Sequence, residues 1–232
     1  MILLEEVGIE MPAIIGFGKK MSEEQIRKYN EAKEEFVRRL NSSSSGKNMV
    51  AEIYKLLNQF TSEYLKNHRI ACGEKCSYCC RQLVCCTTLE MGLIADYIQT
   101  LPRVQRRPVM HKAKMKAVDF CKKNHSILTS AARWEEVASF LRNKHHGVPC
   151  IFLRDRKCSI YPVRPIDCRI AKTSNPCGRE RELALKPQNI RLFCDQVASD
   201  LIMKEEEKCY GKMQVVPLIG WPITPEFDHF FK

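Results

Sequence analysis

PCIFLRDRKCSIYPVRPIDCR, residues 149–169, decides how the rest of the chain reads. Apolar Ile151 to Leu153, a polar stretch at Arg154 to Lys157 and a return through Ser159 to Tyr161 predict a short β-hairpin. Pro162 and Pro165 then fix a turn, because proline locks φ and disfavours helix in the residue before it. Three cysteines sit at the landmarks of this stretch: Cys150 at its entry, Cys158 after the turn and Cys168 beyond the second proline. A hairpin and a proline turn hold side chains at fixed separations, as a metal site needs. Far upstream lies a second group, Cys72-Gly-Glu-Lys-Cys76-Ser-Tyr-Cys79-Cys80, with Cys85-Cys86 behind it.

The chain has 232 residues, 44% of them hydrophobic, enough to bury a core without covalent staples. Its start has acidic residues where a secretory signal is basic, and lacks a continuous apolar stretch. No segment approaches a membrane span. The expectation is a soluble, cytoplasmic protein with no membrane partner. Thiols stay reduced in that compartment, and the 13 cysteines are odd in number, so disulfides are disfavoured. Cys121, Cys194 and Cys209 read as small buried hydrophobes, whereas the Cys72–Cys86 group reads as metal ligands. Thiolates are soft donors that suit zinc or iron–sulfur clusters, usually four to a site. The candidate ligands are Cys72, Cys76, Cys79 and Cys80 from the first group, with Cys150, Cys158, Cys168 and Cys177 from the second. Neighbouring side chains at Cys79 and Cys80 point apart. They serve two metals more comfortably than one, or one ligates while the other packs. Eight thiolates divide naturally into two sites.

Periodicity predicts helices over 22–41, opened by a Ser22/Gln25 capping box, and from Met49 to Tyr64. Ile26, Tyr29, Phe36 and Leu40 mark the apolar face of the first. A helix opens at Thr87 with Glu90 at the capping-box position and Leu93, Ile94 and Tyr97 inward. Others are predicted over 105–124, over 132–146 with Gly147 as the stop, and over about 187–206 with Ile190, Phe193, Val197 and Leu201 on one side. Met213 to Ile219 reads as extended. The fold class is therefore α+β, mostly helical, with a small cysteine-rich metal-binding core and a short β-hairpin. The expected division is an N-terminal helical hairpin, 1–70, packing on a cysteine-cluster domain, 71–232.

The formal net charge is +11, which favours an acidic partner. Two four-thiolate sites of about −2 each would lower it to roughly +7. Basic residues gather at Arg103, Arg106, Arg107, Lys112, Lys114, Lys116, Lys122 and Lys123, and again from Arg142 to Lys157. No aromatic residues alternate with them as a stacking platform for nucleic acid requires, so a solvated helix face is the simpler reading.

The two cysteine groups together resemble the CxxCxxCC family, described as zinc- or iron-chelating. The matching residues are Cys76-Ser-Tyr-Cys79-Cys80 with Cys72 ahead, Pro149-Cys150-Ile-Phe-Leu, Cys158-Ser-Ile-Tyr161 and Arg164-Pro165-Ile-Asp-Cys168-Arg169. Thr87 to Tyr97 and Asn175-Pro-Cys177 continue the likeness, which covers about residues 72–180. Two features depart from the family pattern: Gly-Glu-Lys separates Cys72 from Cys76 where two residues are usual, and Cys85 and Cys86 are additional. The resemblance implies binding of zinc or an iron–sulfur cluster in a bacterial-type protein, with a role in a redox or protein-modifying reaction. One branch, the flagellin lysine N-methylases, implies an alternative: methyl transfer from S-adenosylmethionine to a protein substrate. An enzyme of this kind would have a methyltransferase-like or iron–sulfur-dependent activity.

Cys72-x3-Cys76-x2-Cys79 also has the spacing of a radical S-adenosylmethionine cluster loop. Such enzymes need repeating βα units after the loop, and helices followed by a cysteine-rich hairpin stand there instead. His145 and His146 are alternative nitrogen donors. Arg164 and Arg169 are expected either to donate hydrogen bonds to the thiolates or to pair with Asp155 and Asp167, and Tyr161 to pack in the core beside the site.

Overall fold

The structure, a computed structural model, describes residues 23–40, 43–66, 72, 76–77, 79–128, 136, 140–141, 144, 147–173, 189–190, 192–211 and 215–219. The described chain is α+β and mostly helical, with three short antiparallel strand pairs. It divides into two compact units, each assembled from two segments. The first comprises Met1–Glu74 and Arg169–Gln214, and the second Lys75–Cys168 and Val215–Lys232. The N-terminal helices therefore share a unit with residues of the 169–214 segment.

Unit one is built on three helices: α1 (Glu23–Arg39), α2 (Gly46–Leu65) and α6 (Phe193–Tyr210). Both α1 and α2 pack on α6. Phe36 and Phe60 stack with ring centroids 5.3 Å apart, and Val50, Ile53, Leu57, Val197 and Ile202 are buried. Ile26, expected on the inner face of α1, is 44% exposed, whereas Phe36 on that face is fully buried. Asp195 starts α6 by accepting the Leu192 amide (2.9 Å), and Gly211 ends it in the left-handed region, φ +68°. Ile190 lies outside that helix, in β5 (Asn189–Ile190), which pairs with β4 (Lys172–Thr173).

Polar groups inside unit one have partners. Lys172 Nζ donates to Asp195 at 2.5 Å with both side chains buried. The Tyr29 hydroxyl donates to Asp200 at 2.5 Å, and the Gly46 amide at the start of α2 donates to Glu205 at 2.6 Å. Burial and the Asp200 carboxylate hold the Tyr29 phenol well above its ordinary pKa. Cys194 packs as a buried thiol, as expected, whereas Cys209 is exposed at the end of α6.

Unit two opens on a 3-10 turn, Cys79–Arg81, followed by β1 (Cys85–Thr87), α3 (Thr88–Thr100) and the long α4 (Arg103–Leu128). The capping box at α3 forms: the Glu90 amide donates to Thr87 Oγ1 (3.2 Å) and the Thr87 amide to Glu90 (2.8 Å). Ile94 is fully buried, while Leu93 and Tyr97 are half-buried. Glu136, Phe140, Leu141 and Lys144 are helical, and Gly147 has φ +88°, a stop that glycine tolerates.

The hairpin is β2 (Leu153–Arg154) and β3 (Lys157–Cys158), with Leu153 opposite Cys158. Its loop is only Asp155-Arg156, and both have positive φ (49° and 61°), as a two-residue turn matching strand twist requires. A single turn, α5 (Ile166–Arg169), follows the prolines. The predicted extended tail is present as β6 (Val215–Pro217), which pairs antiparallel with β1. Ile94, Ile98, Ile151, Phe152 and Ile160 form the centre of the core, with Cys86 buried among them and Cys150 and Cys158 packed against it. No helix among the described residues is long and apolar enough to cross a membrane.

Candidate functional site

Unit two contains Cys76, Cys79, Cys80, Cys150, Cys158 and Cys168, six of the eight expected ligands. Backbone hydrogen bonds draw the two sequence groups together. The Cys150 amide donates to the Cys80 carbonyl at 2.6 Å, and the Gly147 amide to the Arg81 carbonyl at 2.8 Å. These bonds fasten the 3-10 turn carrying Cys79 and Cys80 to the segment that enters the hairpin. The hairpin then places Cys158 three residues past Cys150 in space: the Leu153 amide donates to Cys150 O (3.1 Å), and Leu153 faces Cys158.

A second fastening holds Cys168. Asp167 accepts the Cys85 amide at 3.0 Å, and the other oxygen of Glu90 accepts the Ile166 amide at 2.7 Å. Glu90 is fully buried, so one carboxylate both caps α3 and anchors the proline turn. The sequence marked Glu90 only as a cap. Its second role depends on a residue 76 positions away, which no local pattern reveals.

The thiols of this region influence one another. Cys79 is held well above an ordinary thiol pKa, first by its hydrogen bond with the Cys80 thiol and then by burial, with Arg164 opposing. Burial pushes Cys150 up to about 11, with the Cys158 thiol adding to the effect and Lys116 and Lys112 opposing it. Cys168 is raised by burial, then by Cys150, Cys79, Asp167 and Cys158. Cys79, Cys150, Cys158 and Cys168 are thus electrostatic neighbours, and each loss of a proton would burden the others. Cys86 is raised by burial and by Glu90, Cys85, Asp167 and Cys168. In this arrangement Cys79, Cys86, Cys150 and Cys168 stay protonated at neutral pH unless a cation offsets their charge.

Two lysines of α4 approach the same region. Lys112 Nζ donates to the Leu153 carbonyl (2.5 Å) and Lys116 Nζ to the Pro149 carbonyl (3.1 Å). Sequence reading placed both among solvated surface charges, but their i, i+4 spacing turns them inward onto the hairpin. Burial, and Lys112 beside it, lower the Lys116 ammonium pKa. A shallow cleft opens beside Cys150, lined by Gln82, Val84, Pro149 and Ile219 among others.

Cys72 falls in unit one, where its thiol lies 3.9 Å from the Ala171 carbonyl. Cys177, His145 and His146 lie outside the described residues. Arg169 donates to Asn58 (3.1 Å) and lies over the Tyr54 ring at 3.9 Å. Arg164 covers the Tyr161 ring at 4.2 Å, and Tyr161 is 48% exposed rather than part of the core.

All the cysteines described are free thiols. Among the described residues, no group of three or more His, Cys, Asp or Glu side chains stands close enough to hold a metal ion as the side chains are placed. The donor set is thus chemically suited to a thiophilic metal, and it is gathered in one unit without being closed around a common point. Compared with models of known protein families, with curated proteins and with solved structures, the chain finds no match. The likeness to the CxxCxxCC family therefore rests on the residues quoted above.

Proposed function

We propose that unit two binds a thiophilic metal, zinc or an iron–sulfur cluster, through Cys79, Cys150, Cys158 and Cys168, with Cys76 and Cys80 as the adjoining donors. The observation that carries this reading is the fastening of two distant cysteine groups by the Cys80–Cys150 and Gly147–Arg81 backbone bonds. A protein that used these cysteines only as small hydrophobes would have no need to gather thiols that raise one another's pKa. Each of the four stands on a short element: a 3-10 turn, a hairpin entry, a two-residue strand or a single helical turn. Side-chain rotation on such elements is the movement that ligation asks for.

A bound metal would supply the positive charge that lets neighbouring thiols ionise together, and its binding energy would add to the stability of the fold. Lys112, Lys116 and Arg164 contribute fixed positive charge at the rim. Asp167 and Glu90 hold the Cys168 turn in register with β1. The Cys79–Cys80 pair offers two thiols from one turn, so a second metal or a cluster can be served from the same place.

The test is anaerobic purification followed by elemental analysis and an absorption spectrum. A colourless protein with stoichiometric zinc supports a zinc centre; a brown one with equal iron and sulfide supports a cluster. Protein that carries neither, and takes up neither on reconstitution, would sink the proposal. Methyl transfer from S-adenosylmethionine to a lysine peptide, measured on the same preparation, separates an enzymatic role from metal binding alone.

A further inference from the structure

Helix α4 holds eight Lys and Arg residues against one acid, Asp119. Its buried face is Val109, Ala113, Ala117, Phe120 and Asn124. Lys112 and Lys116 turn inward to hairpin carbonyls, and Arg106 bonds to Gln99. Opposite the buried face, Arg107, His111, Lys114, Val118 and Lys122 follow one another at steps of four, three, four and four, and all are exposed. Such spacing places them in one stripe along the helix. Arg103 and Lys123 are exposed as well, with Lys123 bonded to Asp119 at 2.9 Å.

We infer that this stripe is a docking surface for the phosphate backbone of double-stranded nucleic acid, bound without base readout. From Arg107 to Lys122 the helix runs about 22 Å at 1.5 Å per residue. Over that length a duplex presents on the order of a dozen phosphates, at one charge per roughly 1.7 Å of axis. A duplex thus offers continuous negative charge along the whole stripe, whereas an acidic patch on a protein surface offers a few carboxylates at one place. Single strands fit less well, because the stripe has no aromatic side chain on which bases could stack. A membrane surface fits less well too. The exposed apolar residues of the helix, Val104, Met115 and Val118, are too few to make an inserting face. The inference is independent of the metal proposal, since none of these residues is a thiol or bonds to the hairpin.

The experiment is fluorescence anisotropy of labelled 24-base-pair duplexes titrated with the full chain, between 20 and 200 mM salt. The arms are two unrelated DNA sequences, an RNA duplex, and vesicles containing phosphatidylserine. Arg107→Gln, Lys114→Gln and Lys122→Gln are combined in one variant, whose fold is checked by circular dichroism. With about four to five phosphate contacts, log K should fall with log salt at a slope near −4, and the triple variant's slope should be shallower by about 2.7. Both DNA sequences should bind within about twofold of each other, as backbone contacts alone require. The DNA and RNA arms tell which duplex geometry is preferred. No duplex binding at 20 mM salt, equal binding by a folded triple variant, or binding to vesicles but not duplexes would each overturn the inference.

Discussion

The two units solve the burial of polar atoms in opposite ways. In unit one the featured buried and half-buried charges meet an opposite charge, a hydroxyl or an amide: Lys172 with Asp195, Asp200 with Tyr29, Glu205 with Gly46. In unit two Glu90 also accepts two amides, but Cys79, Cys150 and Cys168 stand beside other thiols that, together with burial, oppose their ionisation. Unit one is therefore complete in itself, while unit two gathers like groups that a cation would reconcile. The difference teaches where an added component would matter.

Four experiments set the units against each other. The largest effect is expected from Cys168→Ser in metal-loaded protein, since losing one thiolate forfeits much of a binding energy on the order of 10 kcal/mol. Metal content per chain should drop, and hydrogen-exchange protection should fall in β2 and β3 but not in α6. Retained metal and unchanged protection would break the comparison from the side of unit two. Asp195→Ala comes next: it leaves Lys172 buried without its carboxylate, at a cost of about 3–5 kcal/mol. Chemical denaturation followed through amides of α6 should register that loss, with metal content unaffected.

Glu90→Gln is expected to cost roughly 1.5–3 kcal/mol, because its amide nitrogen would face one of two backbone N–H donors, from Thr87 or Ile166. It should also weaken metal retention, since the Cys168 turn loses an anchor. A loss of stability with metal affinity unchanged would mean that the anchor does not position Cys168. The smallest effect is a gain. Arg156→Gly relieves a left-handed residue in the hairpin loop, where a non-glycine side chain costs about 1–2 kcal/mol, partly offset by glycine's entropy. A rise of a few degrees in the melting of unit two, with unit one unmoved, is the expected readout. A lower melting temperature would show that the Arg156 side chain contributes more than its backbone costs.

Much of this fold was legible locally. The Thr87/Glu90 capping box, the Gly147 stop and the hairpin turn all follow from residues within a few positions of each other, and all are present. Helices α1, α2 and α6 were visible as apolar periodicity, with ends displaced by up to several residues because flanking turns do not share that period. What sequence could not reveal was the partner of each face. That α6 joins α1 and α2, and that β6 pairs with β1 across more than a hundred residues, are facts of tertiary packing. The same holds at the site. Cysteine spacing singled out the thiols, and the structure assigns Cys72 to unit one while bringing Glu90, Lys112 and Lys116 into the neighbourhood of the others. Lys112 and Lys116 were hidden because an inward lysine and a solvated one look alike until the carbonyls they reach are in place.

The most direct test of the central claim is hydrogen exchange on the loaded protein before and after its metal is stripped, with chelator for zinc and chelator plus oxidant for a cluster. Loss of protection confined to the 79–87 and 147–168 segments, with α1, α2 and α6 unchanged, is the predicted result. Uniform loss across both units, or no change in either, would contradict it.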